Sequence, residues 1–112
     1  MFMKLPSTIY LGHRKIKVKE IGARTANKDE IYGDFDVSKD LIRIDKTLTP
    51  SRKLNTFIHE IVHLLLEHYN AELKLKDEEK VCEVLGSGLS DLLSQNPKII
   101  KIINGVYNNK KK

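Results

Sequence analysis

The chain has 112 residues, of which 40% are hydrophobic and 31% are charged, and its formal net charge is +5. This length suits one compact domain with a modest core, and the composition is that of an ordinary globular protein. There is no apolar run long enough to span a membrane and no apolar signal-peptide region near the N-terminus, and the one cysteine, Cys82, excludes an internal disulfide. We therefore expect a cytoplasmic protein without membrane association.

The first part of the chain has the pattern of β-strands. Residues 9–21 carry alternating and β-branched side chains interrupted near Gly12, which indicates a strand pair or one bent strand. A polar, turn-like stretch covers residues 23–29, and a short apolar segment then surrounds Gly33. Residues 41–45 predict a short strand with two isoleucines on one face.

The second part has the pattern of helices. Thr49 is a suitable N-cap and Pro50 suits the first helical position, so a helix is predicted from there to about Tyr69. A polar connection leads to a second helix over residues 77–94. Pro97 begins a last segment whose apolar stripe fits a helix, although its β-branched residues leave a strand possible.

These elements predict one α+β domain, strand-rich over residues 1–46, helical over 49–107 and ending in a disordered tail at 108–112. A small antiparallel or mixed sheet should pack against the first helix, and the second helix should cover the other side of that helix. Gly86 and Gly88 lie inside the second helix, where each costs up to about 1 kcal/mol relative to Ala. Close approach of a neighbouring helix would explain both glycines.

The first helix contains the pattern H-E-x-x-H. His59 and His63 are four residues apart, so both imidazoles lie on one helical face and can bind one metal ion. Glu60 is placed to take a proton from water at that ion. Burial of these polar groups is costly unless a partner such as a divalent cation satisfies them, and most of the helix surface around them is apolar. The apolar residues are Phe57, Ile58, Ile61, Val62, Leu64, Leu65 and Leu66.

A catalytic zinc ion normally has three protein ligands, so a third is needed. His68 is out of register on a continuous helix, and Glu67 would close poorly around a tetrahedral ion. Acidic residues at the start of the second helix are better placed, although helix-dipole stabilisation also explains acids in a first turn. Among them Glu79 is the favoured ligand, and Glu78 and Glu83 remain alternatives. The acidic residues are Asp77, Glu78, Glu79 and Glu83.

Residues 41–93 resemble the small phage- and mobile-element-associated members of the ImmA/IrrE metallopeptidase family. The resemblance lies in the strand at 42–45, the helix start at 48–52, the motif segment at 55–63 and the segment at 79–89. It implies a minimal zincin-like fold and a zinc-dependent peptidase.

By the same resemblance, Glu79 is the third zinc ligand beside His59 and His63, Glu60 is the catalytic residue, and Glu83 supports the ligands. The chain departs from the family in having Cys82 and Glu83 where members usually carry Ala next to Asn or Asp. It is also shorter than typical members.

The leading functional hypothesis is a zinc metalloendopeptidase that hydrolyses a peptide bond in a protein substrate. The resemblance implies a regulatory, repressor-type protein as that substrate. Tyr32, Arg43 and Tyr69 are candidates for stabilising the oxyanion. The alternative is a zinc-bearing, non-catalytic binding or regulatory module of phage or mobile-element origin, because a small chain leaves little room for a substrate cleft.

A nucleic-acid partner is a weaker hypothesis that the positive charge suggests. The basic cluster over residues 14–19 alternates with Ile16 and Val18, as on the exposed side of an amphipathic strand. No nucleic-acid-binding signature accompanies it. We therefore expect no nucleic-acid partner.

Overall fold

The computed structural model describes residues 4–22 and 32–109, with side chains to residue 106. The turn predicted at 23–29 and the last three residues lie outside this part of the chain. The described part contains a four-stranded sheet in the order β1-β2-β4-β3. The strands are β1 (Thr8–Leu11), β2 (Arg14–Ile21), β3 (Gly33–Asp36) and β4 (Leu41–Asp45).

The sheet is mixed, since β2 and β4 pair in parallel while β1–β2 and β3–β4 are antiparallel. The β1 and β2 strands form a hairpin, so the strand pair is the correct reading of residues 9–21 and the single bent strand is wrong. Gly12 in the turn has φ of +62°, a left-handed conformation that glycine adopts without steric cost.

Alternation along the strands builds the core. Ile16, Ile42 and Ile44 are fully buried and point to one face of the sheet. The first helix packs on this face through Phe57 and Leu64. Burial of each such side chain stabilises the fold by about 1.5–3 kcal/mol.

Three helices follow the sheet: α1 (Pro50–His68), α2 (Leu75–Gln95) and α3 (Pro97–Asn109). The Thr49 side chain accepts a hydrogen bond from the Arg52 amide and Pro50 is the first helical residue, as predicted. The α1 helix lies between the sheet and α2, which confirms the α+β architecture. The segment after Pro97 is helical rather than extended, and it continues to Asn109, into the residues that we expected to be a disordered tail.

The two glycines of α2 have different environments. A methyl group at Gly86 would lie 3.2 Å from the carbonyl oxygen of Asn55 and 3.4 Å from Cα of His59. A methyl group at Gly88 would meet no atom within 4 Å. Close helix packing therefore explains Gly86, and the same explanation is wrong for Gly88.

Arg14 is not part of a solvated basic face, unlike the exposed lysines that follow it on β2. Its guanidinium donates hydrogen bonds of 2.8 Å to the carboxylates of Asp40 and Glu67. The bond from Arg14 lowers the pKa of Glu67. This network joins the start of β2 to the last turn of α1.

A second ion pair joins the sheet to the start of α1. The Lys53 ammonium, whose side chain is 6% exposed, lies 2.7 Å from a carboxylate oxygen of Glu20. Burial tends to raise the pKa of Glu20, but hydrogen bonds from Lys53 and the Leu5 amide outweigh it and hold that pKa below its ordinary value. Charged Glu20 therefore contributes to the stability of the fold.

We predict that Glu20→Gln lowers the free energy of unfolding at neutral pH by about 1 kcal/mol, since Glu20 retains some solvent contact. Because the folded-state pKa of Glu20 is depressed, its contribution is fully present above pH 4.5, the ordinary pKa of Glu, and is lost as pH falls through the lower folded value. Thermal unfolding over a pH series should show the parent losing more stability on acidification than Glu20→Gln. Parallel pH profiles would contradict this assignment.

We also predict unequal effects of alanine at the two glycines. Gly88→Ala should stabilise the protein by up to about 1 kcal/mol through helix propensity alone. Gly86→Ala should lose most or all of that gain, because its methyl group meets backbone atoms of α1 that cannot move independently. Denaturant unfolding of both variants measures the difference, and equal stabilisation would show that the helices do not pack this closely.

Within residues 4–22 and 32–109, none of the helices combines the length and apolar character that a bilayer span requires.

Candidate metal centre

The two motif histidines project from α1 toward the start of α2. Their ring centroids are 5.0 Å apart. Nε2 of His63 lies 2.7 Å from one carboxylate oxygen of Glu79, and Nε2 of His59 lies 3.6 Å from the other. The four-residue spacing on α1 and the position of Glu79 in the second turn of α2 thus bring two nitrogens and a carboxylate to one point.

The other ring nitrogen of His63 has a partner of its own. Nδ1 lies 2.6 Å from a carboxylate oxygen of Glu78. An Nδ1–H donated to Glu78 leaves Nε2 as the nitrogen directed at the convergence point with Glu79. Carboxylates in this position set the tautomer and orientation of metal-binding histidines. Glu78 therefore occupies the supporting place that the resemblance assigned to Glu83.

Glu83 lines the cleft into which the two histidines project. Within the described part of the chain, it makes no hydrogen bond to either histidine. Burial, together with the neighbouring His63, lowers the pKa of His59, while Glu79 and Glu83 oppose this shift. The net effect favours the neutral imidazole, which is the form that binds metals.

Glu60 lines the same cleft as the two histidines. Its side chain is only 6% exposed, and burial raises its pKa to about 7, with Asp34 and Glu79 adding to the shift and His63 opposing it. Among the residues that the structure describes, its carboxylate has no hydrogen-bond donor, and its oxygens keep some solvent contact, because no fully buried side-chain oxygen there is left without a partner. Glu60 is thus a buried carboxylate available to a molecule in the cleft.

Cys82 is a member of the site that the sequence analysis did not identify. It is fully buried, and its sulfur and one nitrogen from each of His59 and His63 all lie within 4.8 Å of one another. Burial, with the nearby Glu79 and Glu78, raises the pKa of the Cys82 thiol to about 12. A signal was present in the sequence, since Cys82 stands three and four residues after these glutamates and so shares their helical face.

The site opens into a cleft of about 700 Å³ between α1, α2 and the edge strand β3. Tyr32 lines this cleft, and the guanidinium carbon of Arg52 lies 5.1 Å from the centre of its ring. Arg43 is instead paired with Asp34, and Tyr69 is 71% exposed at the end of α1. Of the three oxyanion candidates, Tyr32 is the one that borders the cleft.

The residues at the convergence point suit a zinc ion chemically. Two imidazoles, a carboxylate and a thiol supply nitrogen, oxygen and sulfur donors, all of which zinc accepts in proteins. The donors come from two helices, with Glu78 outside them as a hydrogen-bonding partner of His63. The side chains of His68 and Glu67 are engaged by Arg14.

A motif helix held between a small mixed sheet and an acidic helix defines a minimal zincin-like domain. Residues 11–83 match the family model Peptidase_M78, described as the IrrE N-terminal-like domain. The match spans more than half of the chain, so the chain belongs to this family and is a metallopeptidase-type domain. The family resemblance seen in the sequence is thereby confirmed. Comparison with curated proteins and with solved structures gave no match.

Proposed function

We propose that this protein is a zinc-dependent metalloendopeptidase, with Zn²⁺ held by His59, His63 and Glu79. The observation that carries the proposal is the convergence of both Nε2 atoms on the Glu79 carboxylate, at 2.7 and 3.6 Å, beside a buried Glu60. Membership of a peptidase family supports it.

Each residue then has a role in peptide hydrolysis. A bound zinc ion supplies Lewis acidity, which polarises the scissile carbonyl and makes water more acidic. Glu60 accepts the proton of the attacking water and passes it to the leaving amine. Glu78 holds the His63 ring in position through Nδ1. The buried position of Glu60 keeps bulk solvent from competing for that proton.

The cleft favours an enzyme over a non-catalytic zinc module. Although the chain is small, its cleft of about 700 Å³ falls within the range usual for ligand sites. A module also has no need of a buried carboxylate that is left available beside the metal ligands. We propose a cytoplasmic protein substrate, with a repressor-type regulator as the first candidate because of the family resemblance.

We predict that Glu60→Gln lowers turnover by about two to four orders of magnitude, because an amide cannot accept the proton of water. Zinc content should stay at the parental level, since the proposed ligands are intact. Digestion of a peptide library, read by mass spectrometry, measures turnover, and elemental analysis measures zinc.

Glu72→Gln is the matched control, because it makes the same chemical change at an exposed residue of the connection between α1 and α2. It should retain full activity. If the zinc-loaded parent cleaves no peptide, or Glu60→Gln cleaves as fast as the parent, the peptidase proposal is wrong.

The proposed ligands predict a graded loss of zinc affinity. His63→Ala should abolish tight binding, and Glu79→Gln should weaken it so that added zinc partly restores activity. Glu78→Gln should cost about 10–100-fold in affinity, as is typical of a group that orients a ligand. Competition titration against a chelator measures all three, and parental affinity in Glu79→Gln would remove it from the ligand set.

A further inference from the structure

Cys82 lies on the buried side of the metal centre. Its side chain is fully buried, whereas the Glu79 side chain is 47% exposed on the cleft side. The two residues are three positions apart on α2, so they present a thiol and a carboxylate along one helical face. Both face the histidine pair of α1.

The distances allow the sulfur to join the two imidazoles on one ion. The donor atoms of His59, His63 and Cys82 all lie within 4.8 Å of one another. Ligands at about 2.0–2.3 Å from a tetrahedral ion are about 3.5 Å apart. The three donor atoms therefore need to move by about 1 Å to bind one ion, and side-chain rotation allows a movement of this size.

The rest of the site also points to a ligand here. Glu60, a residue that is only 6% exposed, lines the cleft beside the histidines, and no hydrogen bond to its carboxylate is found among the described residues. Two nitrogen donors, a sulfur donor and the Glu79 carboxylate therefore converge on this part of the site. This is a cluster of mixed donors, and the cysteine is one member of it.

We propose that Cys82 is itself a metal ligand, holding the ion from the buried side while Glu79 is the exchangeable ligand on the cleft side. This inference rests on the proposed metal site. On binding, the Cys82 thiol releases its proton to solvent and the thiolate sulfur bonds the ion, as metal binding to cysteine requires. With Cys82 and Glu79 both bound, four protein ligands close the centre, and departure of Glu79 opens a position toward the cleft.

A consequence is selectivity for metals that prefer sulfur. Thiolate ligands favour zinc, cobalt and cadmium over ions such as Mg²⁺ and Mn²⁺ that prefer oxygen. Cys82→Ser should reduce Cd²⁺ affinity by at least about 10–100-fold, the loss typical of even an outer-shell partner. Its effect on Mn²⁺ affinity should be much smaller.

The decisive experiment is Co²⁺ loading of the full chain, followed by absorption spectroscopy. The parent should show a near-ultraviolet thiolate-to-cobalt charge-transfer band together with the visible bands of bound cobalt. Cys82→Ser should lose the charge-transfer band and keep bound cobalt. Glu79→Gln should keep the charge-transfer band. Since the chain has one cysteine, the band has one possible source.

The outcomes separate this inference from the proposed function. Bound cobalt without a charge-transfer band in the parent overturns the Cys82 ligand and leaves the peptidase proposal standing. A charge-transfer band in the cobalt-loaded chain, together with no peptide cleavage by the zinc-loaded chain, supports Cys82 as a ligand and overturns the peptidase proposal. Failure of the parent to bind cobalt overturns both.

Folding of the variant is checked independently of metal. Far-ultraviolet circular dichroism and thermal unfolding of metal-free Cys82→Ser should match those of the metal-free parent to within the small cost of the substitution. If serine unfolds the chain, cadmium NMR of the parent alone decides, because a thiolate ligand shifts the cadmium resonance strongly downfield. A resonance at a position typical of nitrogen and oxygen ligands would overturn the inference.

Discussion

The close contact between α1 and α2 is the constraint on which the proposed metal centre depends. Cys82, Gly86 and Ser90 recur every four residues along α2 and are its buried residues. Their small size lets the helices approach until Gly86 leaves room for no more than a tight methyl group against the backbone of His59. Because the backbones are this close, glutamate side chains about two turns before Gly86 on α2 reach the imidazoles of α1. A bulkier residue on this face would move Glu79 away from both nitrogens.

The edge strand β3 forms the opposite wall of the cleft, and it also packs closely against α1. A methyl group on Gly33 would lie 2.8 Å from side-chain atoms of both Ile44 and Thr56, so only glycine lets the strand pass this close to α1. Asp34 follows directly and contributes to the raised pKa of Glu60. The cleft is consequently acidic, although the chain carries a net charge of +5. A concentration of carboxylates in one cleft favours binding of a cation.

The α2 helix buries few side chains, so packing alone holds it only weakly to the rest of the fold. Outside its three buried residues, α2 exposes large apolar side chains, including 57% of Val84 and 49% of Leu92. Ligands from both helices would therefore let a metal ion contribute to folding as well as to catalysis, because binding energy at such a site stabilises the folded state. In the proposed site, the buried thiol of Cys82 would retain the ion and the exposed carboxylate of Glu79 would yield to substrate.

Local patterns were sufficient to predict the elements that carry the motif. Thr49 and Pro50 mark the start of α1, and the isoleucines of Leu41–Asp45 mark a buried strand, because capping and side-chain periodicity are properties of neighbouring residues. The shared helical face of His59 and His63 is likewise a property of one helix.

Tertiary structure decided everything that depends on how two elements meet. Three features join residues that are distant in sequence: the parallel pairing of β2 with β4, the close helix contact at Gly86 but not at Gly88, and the hydrogen bond from Arg14 to Glu67. The sequence favoured Glu79 among the acidic residues of α2 but left Glu78 and Glu83 as alternatives, and their positions separated only through the rotation of α2 against α1. That rotation places Glu78 at Nδ1 of His63 and Glu79 at Nε2, and it turns Cys82 toward the same imidazoles. Helix rotation is set by the summed packing of many side chains, which no single local pattern encodes.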